Sequence, residues 1–116
     1  MRYTSYIMIG IALLLFASCG RQQRAKSVVK DFMAEQLHRQ DVSYLDFSDI
    51  DSTHTFSDSL VSVLRERGPQ GVRYQDRKKG EKLLYIRAQY TQGSDTCSTT
   101  FYLDMETTGV VAFKEN

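Results

Sequence analysis

Two alternating runs joined by a tight turn signal constrain this chain more than any other feature. In residues 82–91, Leu84, Ile86, Ala88 and Tyr90 fall on one side of the alternation, and Leu83, Tyr85, Arg87 and Gln89 on the other. In residues 96–104, Cys97, Thr99, Phe101 and Leu103 oppose Ser98, Thr100, Tyr102 and Asp104. Strand side chains alternate with period two, so each run is a strand with one apolar face. Gln92-Gly93-Ser94-Asp95 lies between them, and so short a turn joins antiparallel neighbours. Thr107-Thr108-Gly109 turns again into a strand at Val110–Lys114. Ahead of the pair, Val72 and Tyr74 alternate with Arg73 and Gln75, and Lys78-Lys79-Gly80-Glu81 is a further turn. The second half of the chain is thus an antiparallel meander.

The first half has a different period. Ala25, Val28, Val29, Phe32, Met33, Gln36 and Leu37 recur at steps of three and four, and Lys26, Lys30, Glu35 and Arg39 take the opposite side. This spacing predicts a helix over about 24–40. Val42–Ile50 is β-favouring, with Leu45 and Phe47 alternating against Asp46 and Ser48. Thr55-Phe56-Ser57-Asp58 has capping-box spacing, and Phe56, Leu60, Val63 and Leu64 form a second stripe. Gly68-Pro69 ends it, with the glycine expected in a left-handed cap. The second helix is predicted at about 56–67. An amphipathic helix needs an apolar surface, which the sheet supplies. The expected fold is α+β: two amphipathic helices packed on one face of a curved antiparallel sheet of three to five strands.

The N-terminus reads as a leader. Arg2 precedes an apolar run from Ile7 to Ala17, which at 11 residues is too short to span a bilayer, where about 20 are needed. Ala17-Ser18-Cys19 follows, with Phe16 where leucine is commonest. This resembles the lipobox of small bacterial lipoproteins. The resemblance implies a diacylglyceryl thioether on Cys19, cleavage before it, and acylation of the freed amine, for instance with palmitate. Residues 1–18 are then a signal peptide, 19–24 a polar tether, and 25–116 a single domain. Gly20 is not the aspartate that, by resemblance to enteric lipoproteins, retains such proteins in the inner membrane, and no acidic run precedes Asp31. The expected location is the cell envelope, at the outer membrane facing the periplasm. The order and size of the elements over about 25–114 resemble the cystatin-like and NTF2-like families.

Removing 18 of 116 residues leaves 98, enough for one core. Without Arg2, 14 basic residues balance 14 acidic ones, which argues against a general nucleic-acid binder. With Cys19 lipidated, Cys97 is a lone thiol, and its place beside Phe101 and Leu103 predicts burial as a small hydrophobe.

Candidate chemistry is sparse. His38, near the end of the first helix, reads as a surface residue. His54 follows Asp49 and Asp51, a set able to hold a divalent cation, yet Asp51, Ser52 and Thr53 are also ordinary turn residues. Serines near His54 lack a nucleophile elbow. Gln70-Gly71-Val72-Arg73-Tyr74 begins the Q-x-V-x-G loop of cystatin-type inhibitors and ends in Tyr rather than Gly. No catalytic residue, metal site or cofactor is assigned. Five acidic and no Lys or Arg residues lie in Asp41–Asp58, against eight basic and three acidic in Arg65–Arg87. These segments either neutralise each other or leave a basic patch around Arg73, Arg77, Lys78, Lys79 and Lys82 for an anionic partner. Aromatics and arginine recur at interfaces, so the sheet face bearing Tyr85, Arg87, Thr100 and Tyr102, with Arg77, Lys78 and Lys79, is the expected partner surface. The sequence predicts a lipid-anchored, non-enzymatic interaction module with an envelope protein partner. The alternative is an NTF2-like small-ligand-binding or catalytic domain with an enclosed pocket between helices and sheet.

Overall fold

The computed structural model describes residues 20–39, 41–53, 57–78 and 81–116. The run Ile7–Ala17, Cys19, His54, the first two residues of the expected capping box (Thr55 and Phe56) and Lys79 lie outside that set. Among the described residues the fold is α+β, with two helices and an open five-stranded antiparallel sheet. In chain order the elements are α1 (20–35), β1 (Val42–Phe47), β2 (Asp51–Ser52), α2 (Asp58–Arg67), β3 (Leu84–Gln92), β4 (Asp95–Leu103) and β5 (Val110–Glu115). No helix among the described residues is long and apolar enough to cross a membrane.

β3 and β4 form the hairpin that the alternation predicts, paired from Leu84↔Leu103 to Gln92↔Asp95. Gly93 at the turn has φ 62°, a left-handed backbone that glycine adopts without steric penalty. β5 pairs with β4 on the far side, and β1 and β2 pair in succession with the near side of β3. Val72 and Tyr74 were expected in a strand. They lie instead outside any strand, in a segment that meets the sheet's edge through Gln75 N–H, bonded to the Val110 carbonyl at 2.8 Å, and through the Tyr74 ring stacked on Phe113.

The alternation divides the sheet into two environments. Leu84, Ile86, Ala88, Tyr90, Phe101, Leu103 and Phe113 join Ala25, Val29, Phe32 and Met33 of α1 in the main core. Val61 and Leu64 of α2 belong to a separate, smaller cluster with Leu83, Val111 and Ala112, against which Tyr102 packs. Tyr102 and Ala112 are cross-strand partners on the side of the pleat opposite Phe101 and Phe113. The helices' buried residues therefore fall on opposite sides of the sheet, not on one face as the stripes suggested. A helical stripe reports that a face is buried, but not against which surface.

Four local expectations also shift. Residues 20–24, read as a tether, are helical, and α1 ends at 35 rather than 40. Just past its end, His38 is exposed with φ 56°, and the chain folds back so that Arg39 N–H bonds the Met33 carbonyl at 2.9 Å. The cap of α2 is Ser57, whose hydroxyl accepts from Leu60 N–H at 3.2 Å. Gly68 has φ −79°, so it is not a left-handed cap; it gives room, because a Cβ there would stand 2.8 Å from the Tyr74 hydroxyl oxygen.

Candidate partner surface

Tyr85, Arg87, Thr100 and Tyr102 converge on one sheet face. Tyr85 and Tyr102 are direct cross-strand partners, as are Arg87 and Thr100. The tyrosine rings lie tilted at 49° with centroids 6.4 Å apart, within the range of a favourable aromatic pair. They floor an open groove of about 530 Å³ whose wall is Ser48, Asp49, Asp51 and Thr53.

That wall is fastened to β3. Ser48 N–H donates to the Arg87 carbonyl at 2.9 Å, and Arg87 N–H returns a bond to the Ser48 hydroxyl at 2.8 Å. Thr53 N–H bonds the Leu83 carbonyl at 2.8 Å. The Tyr85 hydroxyl donates to the Asp51 carboxylate at 3.3 Å. Such ties make the groove part of the sheet rather than a loop resting on it. Burial, and then the neighbouring Tyr85, push the Tyr102 hydroxyl above its ordinary pKa. It stays a neutral phenol throughout the physiological range.

The basic half of the expected surface divides differently. Arg77 turns inward: its side chain is only 8% exposed, and Nε and Nη2 donate to the Glu81 carbonyl at 3.1 and 2.8 Å. Its Nη1 stands 3.2 Å from Asp58, an ion pair without hydrogen-bond geometry. Arg77 therefore ties the Glu81 backbone and the start of α2 together, and is withdrawn from the partner surface. This contact pairs one residue of the acidic segment with one of the basic segment. Lys78 is exposed and lies 3.9 Å from Glu106, while Lys79 is outside the described residues.

Cys97 is half-buried rather than sealed in the core. It lines a second hollow of about 520 Å³ with Arg39, Tyr90 and Glu115. There Arg39 donates to Glu115 at 2.8 Å and to the Tyr90 hydroxyl at 3.2 Å, and Tyr90 shares a buried hydrogen bond with Thr99 at 2.9 Å. Burial opposes the charge on Arg39, but the bond to Glu115 and the Tyr90 hydroxyl outweigh it, and its pKa is raised. This chain of polar groups anchors the end of the first loop to the sheet. Sequence reasoning passed over it because its members are scattered from 39 to 115.

No cluster of three or more His, Cys, Asp or Glu side chains among the described residues is arranged to hold a metal ion. Asp49 and Asp51, two of the candidate cation ligands, stand in the groove wall. In the cystatin-like stretch, Gly71 turns at φ 83°, and Val72 is half-buried against the main core instead of being offered to a partner. Compared with protein-family models, curated proteins and solved structures, the chain matches none.

Proposed function

We propose that this chain is a lipid-anchored interaction module of the cell envelope, made with a signal peptide that is cleaved before Cys19. On this reading it performs no catalysis and captures an envelope protein on the face of Tyr85, Arg87, Thr100 and Tyr102. The observation that carries the reading is the groove itself. Two tyrosines and an arginine sit on hydrogen-bonded strands, where little backbone freedom remains to be lost on binding. Tyr and Arg are the side chains that most often dominate binding energy at protein interfaces. The interior beneath α1 supports surface capture over an enclosed ligand pocket. Phe32 lies 6.2 Å from Phe101 and 5.7 Å from Phe113, ring centre to ring centre, and fills the space such a pocket would need.

Crosslinking in intact envelopes tests this reading. Tyr85→Ser with Arg87→Ser should reduce the crosslinked product about tenfold or more, the loss of one strong interface residue being worth about that much. Tyr102 is a poorer probe, because it also packs on the second core. An unchanged product from a folded double variant would refute capture on this face. Cys19→Ser should release the chain from membranes. If that variant stays membrane-bound through a high-salt wash, the acyl anchor is refuted.

A further inference from the structure

The sequence suggests a loose tether between the anchor and the domain, and α1 removes it. Residues 20–24 are helical, so Gly20, the first residue after Cys19, is already part of α1. The first turn is also tied to the body. The Gln22 side chain donates to the Ser48 carbonyl at 2.9 Å and accepts from Ile50 N–H at 3.0 Å. A chain acylated at Cys19 would therefore have no free segment about which its domain could swivel.

The end of the domain that α1 enters carries basic side chains from two distant stretches, alongside the carboxylates of Asp49, Asp51 and Glu106. Arg21 lines a cleft with Leu84 and Met105, and Arg24 is exposed one turn on. Lys78 reaches Glu106, the neighbour of Met105, and exposed Lys82 stands two residues before β3 begins. At the opposite end α1 stops, and exposed Lys114 lines a hollow there with Arg39.

We infer that α1 holds the end bearing Arg21, Lys78 and Lys82 against the phospholipid headgroups, so that the domain sits on the bilayer in one fixed orientation. Lysine and arginine donate to headgroup phosphates, and each basic residue near such a surface contributes about fivefold to the binding constant. Asp49 and Asp51 border both the Arg21 cleft and the tyrosine groove. The groove consequently opens beside the membrane, and the partner surface it meets is a juxtamembrane one. This inference rests on the acyl anchor proposed above.

Lysine acetylation read by mass spectrometry tests it, with the mature acylated protein in vesicles of phosphatidylethanolamine and phosphatidylglycerol. Lys78 and Lys82 should react about fivefold more slowly than in the Cys19→Ser protein free in solution, with Lys114 unchanged. A flexible Gly-Ser stretch inserted between Gly20 and Arg21 should abolish that protection while the fold persists. Equal reactivity at Lys78, Lys82 and Lys114 on vesicles would overturn the orientation, as would protection that survives the insertion. The mass of the mature N-terminal peptide separates the two ideas. Missing acyl mass refutes the anchor, whereas acyl mass without protection refutes only the fixed orientation.

Discussion

The two faces of this sheet are built from the same strands and differ only in which member of each alternating pair they present. One face is closed: α1 lays Ala25, Val29, Phe32 and Met33 over Ile86, Phe101 and Phe113, all 6% exposed or less. Among the described residues the other is closed over Leu83, Val111 and Ala112, where α2 contributes Val61 and Leu64, and beyond them the tyrosine groove begins. A domain of this size lacks the apolar residues to finish two cores. The face that receives the long helix holds the fold together, and the face with a short helix has area left for recognition.

The largest expected effect tests that division directly. Phe101→Ala should cost about 3–5 kcal/mol in urea unfolding, because Phe101 is wholly buried among Phe32 and Phe113. Leu64→Ala should cost about 2–3 kcal/mol, near the lower end for a buried leucine, since the smaller cluster has fewer neighbours to strand. Equal costs would mean that the two cores contribute alike and that the asymmetry is only one of area.

Two arginines sharpen the comparison further. Arg77 and Arg87 read alike in the sequence, yet one is spent on the fold and the other is exposed in the groove. Arg77→Ala should cost about 1–3 kcal/mol, from its lost bonds to the Glu81 carbonyl and the lost packing of a side chain that is nearly buried. Arg87→Ala should change stability by no more than about 0.5 kcal/mol and be felt only in partner capture. A reversal of the two would return Arg77 to the candidate surface.

Alkali probes both faces and the edge of the sheet. Burial raises the pKa of Tyr44, Tyr74 and Tyr102, with Tyr90 adding to the shift at Tyr44, Arg65 opposing it at Tyr74 and Tyr85 adding to it at Tyr102. Each phenol keeps its proton to higher pH when folded, so the native state binds more protons than the unfolded chain above the unfolded value of about 10. Their contribution is complete below that value and is lost as pH rises through the folded values. Urea midpoints should therefore fall between about pH 9 and about pH 11. Tyr102→Phe should lessen the fall, and a variant that falls as steeply as the parent would show that the groove's phenol takes no part.

Where local spacing decides the structure, the sequence was legible. The faces of β3 and β4 follow from period two alone, because neither strand has an irregularity along their shared ladder. Tyr85, Arg87, Thr100 and Tyr102 were recoverable as one surface for the same reason. The wall of Ser48, Asp49, Asp51 and Thr53 was not, since it depends on bonds to residues 30 or more positions away. The start of α1 was missed because 20–24 has no apolar stripe until Ala25. What ties that turn down is an amide side chain, and Gln22 looks like any surface glutamine in sequence. The inward turn of Arg77 was hidden likewise, because charge patterning counts charges and does not aim them.

β1 supplies the smallest effect and the most specific one. Alternation placed Leu45 beside Phe47 on one side, but the ladder to β3 shifts between Tyr44 and Asp46. A bulge gives one strand an extra residue and resets its alternation, so residues three apart across it, here Tyr44 and Phe47, share a face. Tyr44 and Phe47 accordingly stack with centroids 5.3 Å apart, while Leu45 is 59% exposed. Lys30 of α1 lies 5.5 Å from the Tyr44 ring and 5.9 Å from the Phe47 ring, so the core side of this edge is already covered. Leu45→Lys should therefore alter stability by no more than about 0.5 kcal/mol, because it replaces an exposed side chain outside the core. It should also lessen self-association, since charge on an edge strand discourages pairing with another chain. A loss of about 2 kcal/mol or more would mean that Leu45 is buried, that the ladder runs without its bulge, and that Phe47 leaves the covered face.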